Sequence, residues 1–167
     1  MLKRLLKKIC QKPRQARKDI VIVLPHENNK ILLIKEYRKD YDAEMWKFIS
    51  GGMDKPHLGS LETAQEELAE EVKRESNDWS LYHQFDKRFS SVNIYYYIAN
   101  NPKLMKNPIE NPDEDDIIVD EKWVDLDELW EMVDTHELIW KESVLVAINF
   151  LKSKDAKLTK KRREYEE

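Results

Sequence analysis

The segment from Gly51 to Arg74 constrains the fold of this chain more than any other. It opens with two adjacent glycines and continues into a stretch whose apolar residues recur at spacings of three, four and four: Leu61, Ala64, Leu68 and Val72. This periodicity predicts a helix with one apolar stripe that packs on another layer, such as a sheet. Ser60 is the expected N-cap, because its hydroxyl can accept a hydrogen bond from the first turn.

Three carboxylates of this predicted helix, Glu67, Glu70 and Glu71, lie beside the apolar stripe. At about 100° per residue they share a neighbouring face, where like charges repel one another. Mg²⁺ and Mn²⁺ prefer oxygen ligands and usually keep waters and substrate phosphates in their shell, which suits carboxylates beside a glycine loop. A solvated acidic surface is the alternative interpretation, since most charge runs have that role.

The wider spacing resembles the Nudix box, whose pattern is Gly, five residues, Glu, seven residues, then Arg-Glu-apolar-x-Glu-Glu-x-Gly-apolar. Counting back from Glu67 places the opening glycine at Gly52, and Glu67 to Glu71 matches the Glu-apolar-x-Glu-Glu core. The chain departs from the pattern at the first Glu, the Arg, the late Gly and the last apolar position, which are Leu58, Glu66, Lys73 and Arg74. The resemblance implies that the metal-binding half of the box is kept and the supporting half is altered.

The residues before the box resemble those of ADP-ribose pyrophosphatase-like Nudix members, in which a Gln-x-x-Arg-like strand precedes Trp-Glu-Leu-Pro-Ala-Gly. Arg38 matches the arginine and Trp46 the tryptophan, whereas the Glu, Pro and Ala are Lys47, Ile49 and Ser50, or are shifted by one residue. The resemblance implies that Arg38, Trp46, Gly51 and Gly52 contact the substrate. For Trp46, packing in the core is the alternative.

The flanking elements predict an α/β fold, a Nudix fold with a mixed β-sheet sandwiched between helices. Two apolar runs, Asp19 to Pro25 and Lys30 to Tyr37, predict a hairpin, and Val92 to Ile98 predicts a further strand. Their continuous apolar character indicates a sheet that is covered on both faces. Asp125 is the expected N-cap of a short helix, and a last helix is predicted from Trp140 to Lys152.

A long polar loop from Asn100 to Pro112 ends in an acidic cluster, Asp113 to Asp116. Nudix enzymes of the ADP-ribose class often place here a loop glutamate that assists metal binding or acts as general base, and Glu114 is the glutamate that the resemblance implies. Asp115 and Asp116 are alternatives for that role. A solvated acidic loop is equally compatible with the sequence.

The charge distribution divides the chain into a basic segment (1–18), a predicted Nudix domain (19–152) and a charged tail (153–167). Residues 1–18 hold eight of the 29 Lys and Arg residues and no acid, which leaves 21 basic against 33 acidic residues in the remainder. The basic segment is either an amphipathic helix that contacts an anionic surface or an ordinary terminus. Cys10 is the only cysteine, and no apolar run reaches about 20 residues, so we expect a cytoplasmic protein without a transmembrane segment.

We therefore predict a hydrolase that cleaves a nucleoside diphosphate linked to another moiety. Glu67, Glu70 and Glu71 would hold Mg²⁺ or Mn²⁺, and Glu70, Glu71 or Glu114 would act as base. A homodimer is compatible with this prediction. The alternative is a degenerate, non-catalytic Nudix module that binds a nucleotide or a protein partner, because Glu66 adds negative charge beside Glu67 and weakens metal binding unless another cation intervenes.

Overall fold

The computed structural model describes residues 18–39, 41–88, 91–109, 117–135, 138–139 and 141–166, with side chains in the last helix described for residues 142–154. Nine strands and three helices are found within these residues. Their bounds are β1 Ile20–Glu27, β2 Lys30–Arg38, β3 Ala43–Lys47, β4 Ile49–Gly52, α1 Ser60–Val72, β5 Arg74–Glu75, β6 Asp78–Phe85, β7 Ile94–Asn100, β8 Lys103–Leu104, β9 Ile118–Val124, α2 Leu126–Asp134 and α3 Lys141–Glu166.

The predicted hairpin is confirmed, and its turn explains its register. Asn28 and Asn29 both adopt positive φ, 50° and 60°. This conformation at both central residues defines the tight turn that matches the twist of two antiparallel strands, and Asn tolerates it better than most residues. The turn sets His26 opposite Ile31 and Glu27 opposite Lys30.

Beyond that turn β1 and β2 diverge, and the chain from β3 to β4 fills the gap between them. β3 pairs with the far half of β2, while β4 pairs with the start of β1. The other edge of β1 pairs in parallel with β7, and the other edge of β2 pairs with β9. The result is a mixed seven-stranded sheet in which the end of β3 lies near the centre.

Alternation along the strands gives the sheet two apolar faces, as the continuous apolar runs predicted. Ile22 and Leu24 of β1 pack with residues of α2 and α3. Val21 and Val23 point to the opposite face, where they pack with α1. The expected fold class, a mixed sheet sandwiched between helices, is thereby confirmed.

The predicted helix caps have different outcomes. The Asp125 carboxylate accepts a hydrogen bond from Glu128 N at 3.0 Å, and the Glu128 carboxylate accepts one from Asp125 N at 3.1 Å, which completes a capping box. The prediction for Ser60 is wrong: the N-cap is Gly59, and Ser60 is the first helical residue. Its hydroxyl lies 2.8 Å from the Tyr97 hydroxyl, so it is engaged by the sheet instead of the helix terminus.

The last helix is longer than predicted. α3 begins at Lys141, one residue after the predicted start, and continues to Glu166, well beyond the predicted end at Lys152. The added residues include many Lys, Arg and Glu, which favour helix, and neither Gly nor Pro interrupts them. Within the described helices, none combines the length and apolar character that a membrane crossing demands.

Candidate active site

The expected glycine loop is not what the structure shows: Gly51 and Gly52 form the end of β4 and pair with Val21 and Ile20 of β1. This end of β4 meets α1 where Glu67 lies against Gly51. A Cβ atom added at Gly51 would overlap the Glu67 carboxylate, whereas one at Gly52 would have nothing closer than 3.9 Å. Neither glycine has a positive φ, so Gly51 is needed for space and not for an unusual backbone conformation. The absence of a side chain at Gly51 leaves room for the Glu67 carboxylate beside the end of β4.

Glu71 is the most buried of the three predicted ligands. Its side chain is 1% exposed, and its Oε1 lies 2.8 Å from Lys47 Nζ. Its Oε2 accepts a hydrogen bond of 3.2 Å from the backbone N–H of Ser50. Glu71 therefore points into the junction between α1 and the β3–β4 segment and is held there by a cation and an amide.

Lys47 contacts a second buried carboxylate on the neighbouring strand. Its Nζ lies 2.7 Å from Oε2 of Glu36, a charge contact that lacks the alignment of a hydrogen bond. The other oxygen of Glu36 accepts a hydrogen bond of 3.1 Å from Arg38 Nη1. Arg38, Glu36, Lys47 and Glu71 thus form a row of alternating charge, which we call the buried ion row.

The strand register places the buried ion row on the face that α1 covers. Lys47 pairs with Ile34 across β2 and β3, and Ile34 packs in the core under α1. Glu36 and Arg38 follow Ile34 at intervals of two, so the pleat directs them to the same side of the sheet. Glu36 and Lys47 are each only 3% exposed.

Burial would lower the pKa of Lys47, but the charges of Glu71 and Glu36 and their contacts with the ammonium outweigh that effect. The pKa of Lys47 is consequently raised above its ordinary value. The ammonium therefore stays charged in the folded protein at neutral pH.

A second lysine compensates for the acidic residue at the box arginine position. Lys55 Nζ lies 2.7 Å from Glu66 Oε2 and 3.8 Å from Glu70 Oε1. The hydrogen bond to Glu66 is the main cause of a raised pKa for Lys55. This exposed pair joins the loop after β4 to α1, and Lys55 offsets the charge of Glu66.

The two basic residues at the end of α1 contact the backbone of the helix and the neighbouring sheet. Lys73 adopts a left-handed conformation with φ 56°, and its Nζ donates to the backbone oxygen of Glu70. Arg74 donates two hydrogen bonds, of 2.8 and 3.0 Å, to the Glu121 carboxylate on β9. Arg74 therefore connects the end of α1 with the sheet.

The remaining predicted site residues have different positions. Trp46 is 8% exposed and packs in the core on the face covered by α2 and α3, so the structure favours core packing over base stacking. Arg38 is partly exposed and begins the buried ion row. Glu114 and residues 1–17 lie outside the described residues, as do Asp115 and Asp116.

Sequence reasoning missed Glu36, Lys47 and Lys55. The available signal was a charged residue at an inward position of an otherwise apolar strand, as with Glu36 two residues after Ile34 and Lys47 between Trp46 and Phe48. Such residues are rarely buried without partners. Their burial predicts ion pairing, but the strand pattern does not identify the partners.

The carboxylates fit a divalent cation only in part. Glu67 and Glu70 are partly exposed and offer the oxygen donors that Mg²⁺ and Mn²⁺ prefer. In the part of the chain that the structure describes, however, no three Asp, Glu, His or Cys side chains are grouped as a metal site. Glu71 points to Lys47 and Ser50, and in this arrangement it does not fit as a metal ligand.

The structure combines a mixed sheet between helices with a glycine pair at the end of β4 that precedes the carboxylate helix α1. The NUDIX domain family matches residues 16–144, and the chain belongs to the Nudix family. Among curated proteins it is similar to the ADP-ribose pyrophosphatase of Mycobacterium tuberculosis (strain ATCC 25618 / H37Rv), with 28% identity over 104 residues. That alignment covers 59% of this chain, and the chain spans 48% of the relative.

Solved structures share the fold, and two of them illustrate the likeness. One is described as an ADP compounds hydrolase, with a TM-score of 0.66 and 17% identity over 84% of this chain and 76% of that chain. The other is a NUDIX hydrolase from Nitrosomonas europaea, with a TM-score of 0.58 and 14% identity over 80% of this chain and 86% of that one. At these identities the likeness concerns the fold.

Proposed function

We propose that this protein hydrolyses a nucleoside diphosphate linked to another moiety, in the manner of ADP-ribose pyrophosphatases. Family membership and the curated relative support the reaction class. The observation that carries the proposal is the contact of Glu67 with Gly51, because it brings a box carboxylate to the glycine pair at the end of β4, where the surface is partly exposed. The contact of Glu67 with Gly51 is present although the chain departs from the box pattern at Leu58, Glu66 and Lys73.

Each residue has a proposed role. Gly51 and Gly52 let the substrate approach the backbone, and the Arg38 guanidinium provides positive charge for its phosphates. Glu67 and Glu70 hold Mg²⁺ or Mn²⁺, which when bound neutralises charge on the diphosphate and activates water. Glu70 is our choice of general base, since its side chain is 17% exposed and that of Glu71 only 1%.

Other predicted features have no direct support from the described residues. Glu114 remains a predicted second base or ligand. A homodimer, a cytoplasmic location and contact of the basic termini with an anionic surface likewise remain predictions.

The test is an activity assay with the full chain and Mg²⁺ or Mn²⁺. ADP-ribose, nucleotide sugars, dinucleotides and nucleoside triphosphates are supplied separately, and release of nucleoside monophosphate or phosphate is followed. Glu70→Gln should lower turnover by about 100-fold or more, the scale of general-base catalysis. The matched control is Glu62→Gln on the exposed part of the same helix, which should retain turnover. Failure to cleave any substrate with either ion would refute the hydrolase.

A second candidate is a binding module without turnover. The observation that favours it is Lys47, whose ammonium already neutralises Glu71. This candidate predicts that ADP-ribose binds in calorimetry while no monophosphate is released. Cleavage that depends on Glu70 would eliminate it.

A further inference from the structure

We propose that the Lys47 ammonium is a built-in cation that takes the place of a divalent ion at Glu71, so that metal binding depends on Glu67 and Glu70. This inference deepens the proposed function and rests on its divalent ion. The ammonium lies 2.8 Å from Glu71 and 2.7 Å from Glu36, which places one charge between two carboxylates.

The Glu71 carboxylate cannot serve Lys47 and a divalent ion at once in this geometry. Mg²⁺ approaches its oxygen ligands to about 2.0–2.1 Å and usually keeps several waters. Those waters need space, but the Glu71 side chain is 1% exposed and the Lys47 side chain 4%. Two cations so close would also repel each other strongly in an interior that screens poorly.

The charge balance of the buried ion row supports the same conclusion. Arg38 and Lys47 carry two positive charges, and Glu36 and Glu71 carry two negative charges, so the row is neutral without a metal. An added divalent ion would leave an excess of positive charge in a dry environment, which is costly. Removing the Lys47 charge leaves the row with one net negative charge, because the Glu36 and Glu71 carboxylates then face only the Arg38 guanidinium.

Exposed Lys55 provides a matched control for general charge effects. It also lies beside box carboxylates, 2.7 Å from Glu66 and 3.8 Å from Glu70, but its side chain is 43% exposed. Lys47→Gln and Lys55→Gln each remove one positive charge from the surroundings of α1. Only the first removes the cation that contacts Glu71.

The experiment measures Mn²⁺ binding to the full chain by electron paramagnetic resonance, together with thermal unfolding with and without Mn²⁺. Lys47→Gln should bind Mn²⁺ about tenfold more tightly than the wild type, or bind an additional ion, and should gain more thermal stability from Mn²⁺. Lys47→Arg, which keeps the charge, and Lys55→Gln should remain within about threefold of the wild type. The proposal would be overturned if folded Lys47→Gln bound Mn²⁺ no more tightly than the wild type. It would also be overturned if Lys55→Gln gained as much Mn²⁺ affinity as Lys47→Gln.

A second comparison keeps Lys47 in place and so decides the matter even if Lys47→Gln does not fold. Glu71→Gln should change Mn²⁺ affinity by less than about threefold, whereas Glu67→Gln should weaken it about tenfold or more. Equal losses in the two variants would identify Glu71 as a metal ligand and refute the inference. These measurements use no substrate, so their outcome is distinguishable from failure of the hydrolase proposal, which the turnover assay decides.

Discussion

Replacing Lys47 by Met tests the buried ion row most directly. Met keeps an unbranched side chain that is slightly shorter than that of Lys, but it removes the ammonium charge, which lies within 2.8 Å of both Glu36 and Glu71. Loss of one partner from a buried ion pair costs about 3–5 kcal/mol, because the remaining charge is left uncompensated. We expect that loss in the free energy of unfolding, which corresponds to a fall in Tm of about 6–20 °C for a chain of this size.

Urea unfolding followed by far-ultraviolet circular dichroism gives the free energy, with the metal removed by a chelator. Lys55→Met is the control, because its exposed ion pair should contribute no more than about 1 kcal/mol. The triple variant Glu36→Gln, Lys47→Met and Glu71→Gln should recover most of the lost stability, since it leaves no unpaired buried carboxylate. A Lys47→Met protein within about 1 kcal/mol of the wild type would refute the interpretation of the row as a buried charge network.

Three further outcomes are expected. Gly51→Ala should lower the free energy of unfolding by about 1 kcal/mol in urea unfolding, the low end for overpacking, because the overlapped atoms are the flexible end of Glu67 and can move aside. Gly52→Ala should be near neutral, and a gain in stability from Gly51→Ala would contradict the steric cause. Lys73→Gly should raise the free energy of unfolding by about 1 kcal/mol, because the left-handed conformation strains a side-chain-bearing residue, and a loss in stability would count against this. Burial lowers the pKa of His26 despite its hydrogen bond with the Asn100 side chain. On acidification the His26 imidazole is therefore protonated in the unfolded chain before it is protonated in the folded one. Stability should therefore fall from about pH 7 to about pH 5 by an increment that His26→Gln lacks, as measured by thermal unfolding across that range.

Local patterns predicted much of the fold. Helical periodicity identified α1, and the position of Asp125 before an amphipathic stretch identified the cap of α2. Ser60 failed as a cap because the Tyr97 hydroxyl, 37 residues away along the chain, engages its side chain. Competition from a distant residue cannot be read from the order of residues around a helix start.

In the candidate site, too, local sequence patterns do not reveal contacts between residues that are distant in the chain. Helical spacing predicted that Glu67, Glu70 and Glu71 share one face of α1, but it did not indicate how deeply each is buried or which cation it contacts. Lys47 reaches Glu71 across 24 residues because β3 and β4 enter the sheet beneath α1. That contact depends on strand order, which the sequence pattern leaves undetermined.

The insertion of β3 and β4 between β1 and β2 also has a consequence for the order of folding. The turn at Asn28 and Asn29 can form early from local contacts, but the sheet closes only when β4 and the distant β7 have paired with β1. Contacts between residues far apart in the chain form slowly, because loop closure precedes their stabilising effect. Lys47 is the last residue of β3, within the inserted segment, so its ion contacts should form after the rate-limiting step. Its replacement should then accelerate unfolding and leave the refolding rate nearly unchanged in stopped-flow measurements.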